Sequence, residues 1–205
     1  MQQPTEIASR SLRSFRSVLH DRCPGQHDIV DEISGALFRR LSADRGDRPI
    51  ATFVLADAFS RLRKRTRRFG KQLKLCLSLA NALRVATIVE YMSADRPSSA
   101  ADVAERIRAK PDAIVVLVEL EEAHPGVVAG FKSAWERGFL LDRDGNEVSC
   151  RSAIIVLVTD GGAEEFAELA TVNDRDVLNR SSLQLLRKSG FPREILEHVD
   201  GVFLP

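Results

Sequence analysis

The sequence predicts an α/β fold whose mostly parallel sheet is covered by helices on both faces. Three observations predict it. The apolar runs 50–56, 113–118 and 153–159 have the length of strands buried on both sides and lack polar alternation. Longer stretches with apolar residues at helical spacing separate them, and strands alternating with helices imply crossover connections and a parallel sheet. A chain of 205 residues also suits one sizeable domain.

Leu12, Phe15 and Leu19 recur at i, i+3 and i+7, a short amphipathic helix that stops near Cys23-Pro24-Gly25. A second helix carries Ile29, Ile33, Leu37 and Leu41 on one face, and the turn-rich stretch 45–49 leads into the strand 50–56. A basic run, 61–68, then enters the Leu-rich stretch 73–83. Its Leu residues alternate like a strand but also recur like a helix, and its length favours helix. A strand over 85–92, a polar loop over 93–101 and a short helix over 101–109, stopped by Pro111, follow. After the strand 113–118 come a helix over 125–137, a turn at 142–145 and the strand 153–159. Helical pieces at 163–170 and 176–188 precede a last apolar segment, 199–204.

The composition is that of a globular protein, 44% hydrophobic and 29% charged, with a net charge of +1 that says nothing about partners. Cys23, Cys76 and Cys150 are odd in number, distant and without CxxC spacing. They read as reduced thiols of a non-secreted protein, with no disulfide frame and no metal site. No apolar stretch approaches the length of a membrane span. The first twenty residues, rich in Ser and Arg with Glu6 as their one acid, give a faint likeness to an organelle transit peptide. The expected location is intracellular: cytoplasm, nucleus, or the matrix of a mitochondrion or plastid.

The most informative stretch is AIVVLVELEEAH, Ala113 to His124. Five apolar residues climb to the position where a nucleotide-hydrolysing P-loop enzyme keeps an Asp-Glu pair, the Asp supporting Mg²⁺ and the Glu polarising water. Here Val118 stands in the Asp position and Glu119 remains.

With VAERIRAKPDAIVVLVELEEAHPGV (103–127) and WERGFLLDRDGNEVSCRSAIIVLVTD (135–160), the chain resembles the second ATPase module of the Clp disaggregase clade of AAA+ ATPases. LRSFRSVLHDRCPGQ (12–26), DRPIATFVL (47–55), EYM (90–92) and FPREILEHVDGVFLP (191–205) are similar to further family segments in order and spacing. VTDGGAEEF also resembles torsins, a sister group. The resemblance implies a P-loop NTPase-like three-layer sandwich of the AAA+ large-subdomain type. It divides the chain into an N-terminal helical entry segment, 1–24, and a large subdomain, 25–205. The family's helical lid would begin where this chain stops, and it is expected to be absent.

The resemblance also locates the expected site residues. A P-loop wraps phosphates with successive backbone N–H groups, and the matching stretch, 56–72, keeps only Gly70 and Lys71; Gln72 replaces the Mg²⁺-binding hydroxyl. Gly70 and Lys71 are thus weak phosphate candidates, or simply a helix start. Glu119, the sensor position Asp160 and the arginine-finger position His198 read as vestiges. The loop 93–101 lacks the aromatic that grips polypeptide in the family. Losing five parts together points to a pseudo-ATPase without cofactor, kept as a structural or protein-interaction module. Its expected partner is a related AAA+ ATPase or a large assembly. One alternative is a weak ATP-binding chaperone subunit that borrows catalytic groups. The other is a nucleic-acid contact through Arg61, Arg63, Lys64, Arg65, Arg67 and Arg68.

Overall fold

The computed structural model describes residues 4–43, 46–56, 69–92, 98–171 and 174–204. Eight helices are described: α1 (Pro4–Arg22), α2 (His27–Ser42), α3 (Gly70–Leu83), α4 (Ala100–Ala109), α5 (Pro125–Glu136), α6 (Ala163–Leu169), α7 (Arg175–Lys188) and α8 (Arg193–Leu196). The strands are β1 (Ala51–Ala56), β2 (Thr87–Tyr91), β3 (Ile114–Val118), β4 (Phe139–Leu141), β5 (Glu147–Ser149), β6 (Ile154–Thr159) and β7 (Gly201–Phe203). Five strands form a sheet in the order β2-β3-β6-β1-β7, with every neighbouring pair parallel. The β4–β5 hairpin stands apart as an antiparallel pair.

Alternation along the strands divides the core into two clusters, one on each face of the sheet. Phe53, Leu55, Ile114, Val116, Val118, Val156 and Val158 face a layer built from α1, α2 and α3, which contributes Phe15, Leu19, Ile33, Leu37, Leu75 and Leu79. Val54, Val115, Leu117, Ile155 and Leu157 face α4 to α8, where Ile107, Phe131, Trp135, Phe166, Leu186 and Ile195 pack. The result is the expected three-layer sandwich. The fully apolar β3 and the fully buried β6, apolar up to Thr159, follow from this, since both of their faces are covered. Phe15, Leu19 and Cys23 of the entry helix lie in the same cluster as the first strand.

Local chemistry fixes the element ends. Ser99 and Asp102 form a reciprocal capping box that starts α4. His124 caps α5 by accepting from Gly126 N–H at 3.1 Å, with Pro125 at the first helical position. Gly138 joins α5 to β4 at φ +76°, and a Cβ there would sit 1.6 Å from the Asp47 carbonyl oxygen, so only glycine fits. Buried Trp135 donates from Nε1 to Thr52 Oγ1 at 2.9 Å, tying α5 to β1. At the start of β1, the Thr52 N–H donates to Asp200 Oδ2 at 2.8 Å, while Arg40 Nε reaches Asp200 Oδ1 at 3.1 Å. No described helix is long and apolar enough to cross a membrane.

Candidate functional site

In a parallel α/β sheet, ligands sit beyond the carboxyl ends of the strands. Here that edge is formed by Ala56, Val118 and Thr159. The N–H of Glu119 donates to the Val158 carbonyl at 2.9 Å, locking the turn after β3 onto β6. Glu119 itself is buried and adopts the left-handed conformation, φ +60°, which is costly for a residue with a Cβ. That reversal opens a single 3₁₀ turn, Leu120–Glu122, and brings its acids back over the sheet edge.

Two acidic arrangements result. Carboxylate oxygens of Glu119, Glu122 and Asp160 lie within 4.8 Å of one another, a set that could hold a metal ion. Of these, the sequence pointed to Glu119 and Asp160. Glu122 was not legible, because only the left-handed turn places it beside the end of β6. Glu121 accepts a hydrogen bond from Thr159 Oγ1, which in turn accepts from Gly161 N–H at 2.9 Å. Burial pushes the Glu121 carboxyl up to about 7, against the lowering effect of the Thr159 hydroxyl, and the charges of Glu122 and Asp160 push it further up. Its Oε2 is buried without a hydrogen-bond partner. Sequence reasoning passed over Glu121. A signal was available in the run of three acids and apolar Leu120 directly after a buried strand.

The opposite side of the edge is apolar. Val118 is 0% exposed and packs in the same cluster as Phe69, so the strand end offers no oxygen to a cation from this position. Phe69 precedes α3 in the left-handed conformation, φ +61°. Gly70 is an ordinary first helical residue, and a Cβ there would meet nothing within 4 Å. Its conformational freedom is unused. Lys71 is exposed, whereas Gln72 is 1% exposed and neither side-chain amide atom has a hydrogen-bond partner.

His198 stands at the other end of the sheet. It follows α8 just before Asp200, whose N–H donates to the Thr52 carbonyl at the start of β1. A strand of this length separates it from Glu119 and Asp160 by roughly 16 Å along the sheet. Arg48 contacts it, Nη1 to Nδ1 at 3.3 Å. Burial first, and then the charge of Arg48, lower the pKa of His198 and hold it toward the neutral form. The basic residues Arg61, Arg63, Lys64, Arg65, Arg67 and Arg68 lie outside the described residues.

Comparison with known proteins agrees with this geometry. Residues 71–202, more than half of the chain, match the family described as AAA domain (Cdc48 subfamily). The chain is 27% identical to the ATP-dependent Clp protease ATP-binding subunit ClpC of Staphylococcus aureus, covering 97% of this chain and 27% of ClpC. To chaperone protein ClpB 2 of Thermosynechococcus vestitus it is 29% identical, covering 95% of this chain and 23% of that protein. It thus spans about a quarter of the length of these relatives. Its fold is similar to that in the S. cerevisiae Hsp104–ADP complex, with a TM-score of 0.67 and 16% identity over 96% of this chain and 36% of that one. The register of strands β1, β3 and β6, the edge they share and the family match lead to one identification: the chain belongs to the AAA domain family (Cdc48 subfamily), as a Clp-like AAA+ domain.

Proposed function

We propose that this Clp-like AAA+ domain is a pseudo-ATPase, retained as an interaction module that associates with other proteins. The observation that carries the reading is the joint burial of Phe69 and Val118 in one apolar cluster, at the two places where the fold would present a phosphate cradle and a Mg²⁺-supporting carboxylate. Mg²⁺ demands near-octahedral oxygen ligation. A valine supplies none, and at the described end of the cradle stretch stand a buried phenylalanine and a plain helical Gly70. Gln72, in the hydroxyl position, turns its amide into the interior. The residues therefore do not fit a magnesium–nucleotide pair, and we assign no catalytic step to them. ClpC is described as the ATP-binding subunit of an ATP-dependent protease. By kinship, the partner of this chain is a related AAA+ ATPase or an assembly containing one.

Isothermal titration with ATP and Mg²⁺ tests the reading, with no saturable heat expected. Micromolar binding abolished by Lys71→Ala would reject it and favour a second reading, a weak ATP-binding chaperone subunit. One observation favours that alternative: the three carboxylates of Glu119, Glu122 and Asp160 are close enough to hold a divalent cation without Val118.

A further inference from the structure

Far from the strand ends, the hairpin of α1 and α2 holds three residues that neither the fold nor the proposed association explains. His20, in the last turn of α1, and His27, the first residue of α2, approach each other with Nδ1 atoms 2.8 Å apart. His20 Nε2 faces Asp31 Oδ1 at 3.0 Å, and Asp31 is one turn beyond His27 on α2. The Arg16 guanidinium holds the same carboxylate oxygen, with Nε at 3.6 Å. His27 is exposed and His20 half-buried, so solvent ions reach the pair.

Tautomers follow from these contacts. An ionised Asp31 places a proton on His20 Nε2, which leaves the Nδ1 lone pair of neutral His20 bare and aimed at His27. One proton, carried by His27, then lies between the two Nδ1 atoms. A carboxylate on the far nitrogen is the arrangement that orients a metal-ligating histidine and raises its basicity. The rings are also not aligned head-on. Their centroids are 4.6 Å apart, only 1.8 Å (4.6 − 2.8) more than the nitrogens, less than two ring radii would add to a head-on pair.

We propose that His20 and His27 form a surface site for a late first-row divalent transition metal, Ni²⁺ or Cu²⁺, bound through both Nδ1 atoms with Asp31 as the orienting carboxylate. With metal–nitrogen bonds of roughly 2.0–2.1 Å, two cis ligands at a right angle lie about 2.9 Å apart, and tetrahedral ligands about 3.3 Å. The observed 2.8 Å matches the right angle, the angle of square-planar and tetragonal sites favoured by these two ions. Binding moves the shared hydrogen of His27 from Nδ1 to Nε2 by exchange with water, so both imidazoles stay neutral and no net proton is lost, with water completing the coordination.

Titration of the full chain with NiCl₂ at neutral pH, and electron paramagnetic resonance of the chain with one equivalent of CuSO₄, test the site. The expected spectrum shows coupling to two imidazole nitrogens. His20→Ala and His27→Ala are each expected to weaken Ni²⁺ at least tenfold, and Asp31→Asn about tenfold, with metal-free melting unchanged for the exposed His27→Ala. Equal Ni²⁺ affinity in wild type and His27→Ala, or copper coupled to a single imidazole, would overturn the proposal.

Discussion

The two sides of the sheet's carboxyl edge have fared differently. At the ends of β3 and β6 acids gather: Glu119, Glu122 and Asp160 share a cluster, with Glu121 hydrogen-bonded by Thr159. Phe69, just before α3, and Val118, at the end of β3, are by contrast both buried in one apolar cluster. The contrast teaches where a fold protects its site. Residues that end buried strands are positioned by core packing on both faces, so Glu119 and Asp160 are carried to the edge whether or not chemistry needs them. A phosphate cradle is loop backbone, held by glycines and by its ligand, and core packing does not position it.

The sharpest way to break this comparison is to put the missing acid back. Val118→Asp places a carboxylate at a fully buried position. It is expected to destabilise the domain by about 3 kcal/mol or more, lowering Tm by about 6–12 °C. Melting with and without Mg²⁺ and ATP checks it. If Mg²⁺–ATP restores the lost stability, the apolar side is still a nucleotide site.

Glu121 measures the acid side. Its folded-state pKa of about 7 lies above the ordinary 4.5, so the folded protein holds a proton that the unfolded chain releases. Stability therefore falls as pH rises from about 4.5 to about 7, by an amount of the order of 3 kcal/mol. Glu121→Gln is expected to flatten that slope and to be the more stable protein above pH of about 7. Denaturant titrations across this window check it, and parallel slopes in both proteins would contradict the burial argument.

Much of this architecture is legible in the sequence, for reasons that differ by element. The strands at 113–118 and 153–159 declare themselves because both faces are covered and every residue but the last, Thr159, is apolar. The helix after β1 required a choice between two periodicities, which length decides: Leu75, Cys76, Leu79 and Ala80 are buried as helix α3. The acid cluster is not legible, since its geometry depends on one left-handed residue, Glu119, with no glycine to signal the turn. The pairing of His20 with His27 is hidden for a similar reason. It depends on how two helices pack across Pro24-Gly25, not on spacing within either one.

Two smaller effects sharpen the apolar side. Gln72→Leu replaces a buried amide whose two polar atoms lack partners, and it is expected to be neutral or to stabilise by about 1 kcal/mol. A loss of 2 kcal/mol or more would mean that the amide has a role in the fold. Lys71→Ala, at an exposed position, is expected to change stability by less than about 0.5 kcal/mol. Both are read by chemical denaturation.

The most direct measurement is phosphate release from ATP by the purified chain and its Glu119→Gln variant, side by side with Mg²⁺ present. The account predicts that the two are indistinguishable from buffer. Steady turnover by the wild-type chain that disappears in Glu119→Gln would contradict it.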